Sequence, residues 1–242
     1  PALGASTTGN FDIGSHYDRS GHDDETRSRL LELGDHLTKG PKWHEALGAF
    51  SGSERGEALD LLGFRRQVVF SSFCARLIFE TEPLGVRYEI AGAHNRAMAE
   101  FCDHDDRLLG VAMVPLDDPA RALAEIEAAD ELGLAAVWIA SDAPGGRSPG
   151  HVEHEPIWAT LAERRLPFIL HVGSSPLTVE DPWMNDGRPQ KSTARGGAEV
   201  IGSKDLTVIH QTAQRFVSML LLDGVLKRHP NLRGRVNEPR PG

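Results

Sequence analysis

The chain has 242 residues, of which 40% are hydrophobic and 25% are charged, and its formal net charge is −9. This composition is typical of soluble globular proteins, and no apolar stretch approaches the length of a membrane span. The acidic balance and the absence of clustered Lys and Arg argue against nucleic acid as a partner. The length suits one α/β barrel or two small domains, and a single domain is the simpler expectation.

Cysteine usage and the start of the chain bear on the cellular compartment. The two cysteines, Cys74 and Cys102, form no Cys-x-x-Cys pair. We therefore expect neither a disulfide framework nor a cysteine-based zinc site, which fits a reducing compartment. Residues 1–10 are small and polar, unlike the charged and apolar segments of a secretory signal. These features predict a cytoplasmic protein, or one whose true start lies upstream of Pro1.

The first 57 residues differ in pattern from the rest. Residues 1–57 are polar and weakly periodic, with an acidic cluster at 22–25, and are predicted to form loops and short helices with little core. A helical stretch at 58–62 then ends at Gly63, and an apolar run follows after a short turn. We expect this helix-to-strand step to begin a second region, residues 58–242.

The helix-to-strand unit repeats along that second region. Strands are predicted at 68–70, 109–114, 136–139, 167–172 and 232–236. Helices are predicted around 93–102, 119–132, 157–165 and 216–228. The second of these helices has the clearest punctuation, because Asp118 can cap its start, Pro119 suits its first turn and Gly133 suits a left-handed stop.

Short strands that alternate with helices predict right-handed crossovers and a parallel sheet. No strand is followed by a Gly-x-Gly-x-x-Gly motif or a phosphate-binding loop, which removes the best-supported ligand signatures of an open sheet. We therefore predict an α/β fold of the (β/α)8 TIM-barrel type for residues 58–242. Because a closed barrel needs eight strands and fewer are predicted, we expect it to be incomplete, without its first and last strands.

His171 is the best candidate for a functional residue. The reacting groups of a (β/α) barrel lie at the carboxyl ends of its strands. His171 ends the apolar run 167–170 and precedes Gly173, so its imidazole is predicted to point into the barrel mouth. Neutral imidazole binds zinc, iron and manganese, so we interpret His171 as a metal ligand. The alternative is a core histidine bonded to a backbone carbonyl.

The other histidines carry weaker signals. His210 is a candidate for a second ligand or a substrate-facing group, with a buried residue on a helix face as the alternative. His229 follows a helix end, where a cation complements the dipole, and is interpreted as structural. His151 and His154 have an HxxH spacing without the glutamate of a zinc-protease helix. No Gly-x-Ser-x-Gly elbow occurs, so a metal mechanism is preferred to a serine nucleophile.

Several segments together resemble a known family. They are 107–119 (RLLGVAMVPLDDP), Leu132-Gly133, Leu166-Pro167 before His171, 224–233 (GVLKRHPNLR) and Asn95. This combination resembles the amidohydrolase-related branch that includes aminocarboxymuconate-semialdehyde decarboxylase and the resorcylate decarboxylases. The likeness runs from Ala58 to Glu238.

The resemblance implies a distorted barrel that holds one divalent metal, with zinc expected and manganese as the alternative. In the family the metal is held by an HxH or ExH pair on the first strand, a histidine on the fifth strand and an aspartate near the end of the barrel. The fifth-strand histidine matches His171. The metal polarises the substrate or activates water, which implies hydrolysis or non-oxidative decarboxylation of a small aromatic or unsaturated carboxylate.

The sequence also departs from the family pattern. No HxH or ExH pair occurs near its start, because Asp12 and His16 have the wrong spacing. Glu238 stands where many relatives have a histidine, as it does in another subgroup, and with His210 it is a candidate catalytic residue. The expected aspartate is not reached. We therefore expect a fragment that binds divalent metal poorly and is inactive by itself.

Three functions remain open at this point. The first is a metal-dependent enzyme that acts on a small-molecule substrate, and the second is a catalytically inactive barrel scaffold that serves as a binding subunit and has lost the metal pair. The third is another α/β enzyme, in which His171 is an acid or base residue without metal. An HxH or ExH pair encoded upstream would support the enzyme. The exposed sheet edges of an incomplete barrel also predict association between copies of the chain.

Overall fold

Among the residues that the structure describes, five short strands form the sheet, and the three central ones are apolar, buried runs. The structure is a computed structural model and describes residues 21–41, 45–71, 74–171, 179–188, 204 and 207–237. Its strands are β1 Gln67–Val69, β2 Leu108–Met113, β3 Ala136–Ile139, β4 Phe168–His171 and β5 Gly234–Asn237. They follow one another in the sheet in chain order. Each predicted strand is present, and its bounds differ from the prediction by at most two residues.

Helices connect these strands. They are α1 Asp24–Leu31, α2 Gly52–Leu62, α3 Cys74–Glu80, α4 Leu84–Cys102, α5 Pro119–Glu131, α6 Glu155–Arg164, α7 Asp181–Met184, α8 Gln211–Leu222 and α9 Val225–Arg228. Short 3-10 helices lie at Gly34–Lys39, Pro144–Gly146 and Val152–His154. Within the described ranges, none of the helices has the length and apolar character needed to cross a membrane.

The described residues fall into two units. The first takes in 21–69 and 100–109, and the second takes in the described parts of 70–99, 110–190 and 203–237. In the first unit, a small cluster of buried side chains joins α1, the segment just before α2, and α2 itself. Its buried members are Leu30, Leu47 and Ala58. Helix α2 continues across residue 57, and the domain division made there from the sequence stays a prediction.

The second unit is organised around the parallel strands. Met113 of β2 pairs with Trp138 of β3, which pairs in turn with Ile169 of β4. His171 then pairs with Asn237 of β5. Because side chains alternate along a strand, residues at every second position share one face of the sheet.

The two faces of this sheet are packed differently. On one face, which we call the site face, lie Val111, Met113, Ala136, Trp138, Ile169 and His171, and helix α3 packs against this apolar cluster. On the other face, Phe168 lies edge-on to Trp158 of α6, at 5.6 Å between ring centroids. Trp158 also contacts Phe216 of α8, at 6.2 Å. Burial of each of these large side chains stabilises the fold by about 1.5–3 kcal/mol.

Local signals in the sequence explain where the helices begin and end. The side chain of Asp118 accepts hydrogen bonds from the backbone N–H groups of Ala120 and Arg121, so it caps α5 as predicted. Gly133 follows α5 with a φ of 74°, which also confirms the predicted left-handed stop. The single helix predicted at 216–228 is instead two helices, because Gly224 adopts a φ of 76° between α8 and α9.

A buried amide joins α4 to β2. Asn95 is fully buried, and its Nδ2 donates to the carbonyl oxygen of Met113 at 3.1 Å and to Glu125 Oε1 at 2.7 Å. Its Oδ1 accepts from the backbone N–H of Met113 at 2.8 Å. One side chain therefore satisfies both backbone polar groups of a buried strand residue. These hydrogen bonds join α4 to the buried end of β2.

Candidate active site

The carboxyl ends of β2 to β5 share one edge of the sheet because these strands are parallel. In (β/α) barrels this edge carries the reacting groups. His171 is the last residue of β4, so the structure places it at this edge, where the sequence predicted it. Its role as a metal ligand stays a prediction.

Two aromatic rings pack against the His171 imidazole. The ring centroid of Trp138 lies 4.7 Å from that of His171, and the ring centroid of Phe70 lies 5.0 Å from it. Phe70 and Trp138 also contact each other edge-on, at 5.8 Å. The half-buried imidazole is thus part of an aromatic trio made from residues of β3, β4 and the segment after β1. These rings make the surroundings of the imidazole apolar and aromatic.

The structure brings His210 toward the same edge. His210 immediately precedes α8, its side chain is exposed, and its carbonyl oxygen accepts from the N–H of Gln214 at 3.0 Å. Two residues farther on, the Thr212 hydroxyl accepts a hydrogen bond from the Ser141 hydroxyl at 3.0 Å. Ser141 follows the end of β3, so the first turn of α8 lies at the carboxyl edge of the sheet. The alternative of a buried helix-face histidine does not describe His210.

Glu238 follows β5 directly, but it lies outside the described residues. Its predicted role in catalysis stays a prediction, as does that of His210.

His229 contacts Glu155 through Nε2 at 2.8 Å, next to the ion pair of Glu155 with Arg228. These partners hold the pKa of Glu155 at about 2. The structural interpretation of His229 agrees with this contact.

The described residues do not by themselves complete a metal site. No group of three or more His, Cys, Asp or Glu side chains with metal-binding geometry occurs in the part of the chain that the structure describes. His171 offers one imidazole, whereas a protein zinc site uses three or four ligands. The described residues therefore provide fewer metal ligands than the metal centre that the resemblance implies.

Arg87 connects the loops at the carboxyl edge. Its guanidinium donates to Asp117 Oδ2 at 2.8 Å and to Glu82 Oε1 at 2.8 Å, and its Nε donates to the carbonyl oxygen of Thr81 at 3.0 Å. The second oxygen of Asp117 accepts from the backbone N–H of Gly145 at 3.2 Å. Arg87 thus links the loops that follow α3 and β2, and Asp117 extends this link to the loop that follows β3. The sequence did not single out Arg87.

The histidine pair in the loop before α6 has a structural environment. His154 is fully buried, and its Nε2 lies 3.1 Å from the carbonyl oxygen of Leu116. His151 caps the following turn, where its Nδ1 accepts from the N–H of Glu153. Burial lowers the pKa of His154 below the usual value of 6.5. This arrangement favours a neutral, packed histidine over a ligand.

The lowered pKa of His154 predicts a pH-dependent stability. Below pH 6.5 the unfolded chain takes up a proton at this residue more readily than the folded chain, so the free energy of unfolding should fall as the pH decreases. One such proton changes that free energy by at most about 1.4 kcal/mol per pH unit. Urea titrations between pH 5 and pH 7.5 would measure the slope.

His154→Gln is the matched variant, because glutamine can still donate to the Leu116 carbonyl but does not titrate. We expect a shallower decrease of stability below pH 6.5 in His154→Gln than in the wild type. Equal slopes in the two proteins would contradict the assignment of the effect to His154.

A sequence model of the amidohydrolase family matches residues 53–234. No curated protein sequence gives a significant match. The 2,6-dihydroxybenzoate decarboxylase from Rhizobium has a similar structure, with 21% identity and a TM-score of 0.57 over 75% of this chain and 54% of that one.

Two further solved structures are similar to the chain. The 5-carboxyvanillate decarboxylase from Novosphingobium aromaticivorans, complexed with manganese and 4-hydroxy-3-methoxy-5-nitrobenzoic acid, is 21% identical with a TM-score of 0.57, over 88% of this chain and 61% of that one. A dihydroxybenzoic acid decarboxylase from Polaromonas, with bound manganese and 2-nitroresorcinol, is 18% identical with a TM-score of 0.55, over 85% and 61%.

These structural likenesses show a common fold. They confirm the predicted α/β fold of the (β/α) barrel type, in which the chain contributes part of the barrel. The chain spans about half to three-fifths of the length of these solved structures.

Proposed function

Because the chain belongs to the amidohydrolase family, as the match over residues 53–234 shows, we propose that it acts in the non-oxidative decarboxylation of a small aromatic carboxylate. The observation that carries this proposal is the aromatic trio at the carboxyl edge, where Phe70 and Trp138 flank His171. Hydrophobic and aromatic side chains around a few polar groups are typical of sites for small ligands. The structural likeness to decarboxylases of hydroxylated benzoates supports the same substrate class.

The reaction replaces a carboxylate by a proton on the same ring carbon. The bond between the ring carbon and the carboxyl carbon breaks, carbon dioxide leaves, and a proton is delivered to the ring carbon. We propose His210 and Glu238 as candidates for this proton transfer, because both stand at or directly after elements that reach the carboxyl edge.

A divalent metal, zinc or manganese, with His171 as one ligand is part of the proposal. It is supported by the bound manganese in two of the similar structures. The described residues supply one imidazole toward it, so the chemistry assigned to this chain is substrate binding against the aromatic trio and proton transfer.

Carboxyl-labelled substrates test the proposal directly. Protein expressed from the complete gene is incubated with zinc or manganese and with hydroxybenzoates that carry ¹³C in the carboxyl group. We expect release of labelled carbon dioxide and formation of the matching phenol. If the protein instead hydrolyses amides or lactones and releases no carbon dioxide, the proposed activity changes from decarboxylation to hydrolysis. Binding of the carboxylates with neither reaction would favour the catalytically inactive scaffold.

A further inference from the structure

The indole of Trp138 is enclosed on the site face next to His171. Its side chain is only 2% exposed. Its ring centroid lies 4.7 Å from that of His171, 5.8 Å from that of Phe70 and 5.9 Å from that of Phe79. Trp138 therefore contacts His171, the candidate metal ligand, and the rings of Phe70 and Phe79.

The indole N–H of Trp138 has no hydrogen-bond acceptor among the residues that the structure describes. A buried tryptophan N–H normally finds a partner, because a buried donor without one is destabilising. Trp158 shows the usual arrangement. It is equally buried, and its Nε1 donates to the carbonyl oxygen of Pro149 at 2.8 Å. The two buried indoles thus differ, and the one without an acceptor lies beside the candidate site.

The register of the strands puts this donor close to the carboxyl edge. Trp138 pairs with Ile169, and His171 follows two residues later on the same face. The indole ring contacts Phe70, Phe79 and His171 and belongs to the apolar cluster of the site face, so its environment is largely apolar. In such surroundings a hydrogen bond to an anionic oxygen is stronger than one to a neutral group. A carboxylate on a flat ring matches this combination, because the ring can pack on Phe70 while an oxygen accepts from the indole.

We propose that Trp138 is a specificity-determining residue that donates its indole N–H to a carboxylate oxygen of the substrate. This inference rests on the proposed function, since it requires that the site bind an aromatic carboxylate. It adds the residue that distinguishes ligands with a carboxylate from otherwise similar phenols.

Ligand binding by matched variants tests the assignment. The probes are benzoate, 2,6-dihydroxybenzoate and resorcinol, which lacks the carboxylate, and the proteins are wild type, Trp138→Phe and Trp158→Phe. Trp138→Phe should weaken binding of both carboxylates by about tenfold or more, since a hydrogen bond to a charged group is lost. The Kd of Trp138→Phe for resorcinol should stay within about twofold of the wild-type value, because resorcinol has no carboxylate. Such a change is well below the tenfold effect of one hydrogen bond to a charged group. Trp158→Phe should bind all three probes as the wild type does.

A spectroscopic measurement follows the donor itself. The chain has four tryptophans, so the indole N–H resonance of Trp138 is the one missing from the spectrum of Trp138→Phe. Should that variant not fold, Phe replacements of the other three identify the resonance by elimination. Benzoate should shift the Trp138 resonance downfield in the wild-type protein, while the Trp158 resonance stays in place.

The outcomes separate this inference from the proposed function. Wild-type protein that binds neither carboxylate overturns both. Carboxylates that bind wild type and Trp138→Phe equally, with an unmoved Trp138 resonance, overturn the role of Trp138 alone. The role of Trp138 is also overturned if Trp138→Phe weakens the binding of resorcinol as strongly as that of benzoate. The indole would then not recognise the carboxylate.

Discussion

Replacement of His171 with Ala, in protein expressed from the complete gene, is expected to abolish turnover and to lower the bound metal. The reason is its place at the carboxyl end of β4, where an imidazole can bind a metal or substrate. The fold should persist, because the half-buried side chain stands at the sheet edge, above the packed residues of the site face. Three measurements on the same preparation test the three parts of this expectation. They are the metal content by elemental analysis, the turnover rate and a melting curve.

His210→Ala is the informative control. His210 is exposed before α8, so its loss should change the free energy of unfolding by no more than about 0.5 kcal/mol. Metal content should stay at the wild-type value, while turnover falls if His210 transfers the proton. The two variants should therefore lose activity for different reasons. Full activity and full metal content in His171→Ala would overturn the assignment of His171.

Replacement of Asn95 with Ala is expected to give a large loss of stability. The change leaves the buried N–H and carbonyl of Met113 without the side chain that binds both, and it opens a cavity between α4 and β2. Together these effects should lower the free energy of unfolding by about 2–5 kcal/mol. Urea unfolding monitored by tryptophan fluorescence would measure the change.

Glu125→Gln provides the matched control for Asn95. Glutamine retains an oxygen that can accept from Asn95 Nδ2, and burial already raises the pKa of Glu125. The substitution should therefore change stability by less than about 1 kcal/mol. If Asn95→Ala were as stable as Glu125→Gln, the hydrogen bonds between Asn95 and Met113 would not contribute the expected stability.

The sequence predicted the strands well for a physical reason. Buried parallel strands are short apolar runs, and here Gly or Pro residues bound several of them, so their positions follow from local composition. The family predicted from segments such as 107–119 and 224–233 is also confirmed. Helix α2 was predicted to start at residue 58 and in fact starts at Gly52. The pattern Ser51-x-x-Glu54 was the missed signal, because Ser51 caps the helix through the N–H of Glu54.

The candidate site was less predictable. The position of His171 could be predicted because the end of a strand is a local feature. The partners of Trp138 and Arg87 depend on which loops and helices meet at the edge, and nothing in the neighbouring residues specifies them. Helix α3, which packs against the site face, was also missed, since its seven residues are too few to show a clear period.

The hydrogen bonds of Arg87 and Asp117 link three loops at this site, which constrains how the site can change during evolution. Since Arg87 binds Glu82 and Asp117 at once, and Asp117 also binds Gly145, substitutions at these positions act on one connected network. Their effects on stability should not add, and the coupling between Glu82 and Asp117 should disappear when Arg87 is removed. A new substrate preference that requires a different loop conformation would then need several substitutions in this network. The order of these substitutions would determine which intermediate sequences still fold.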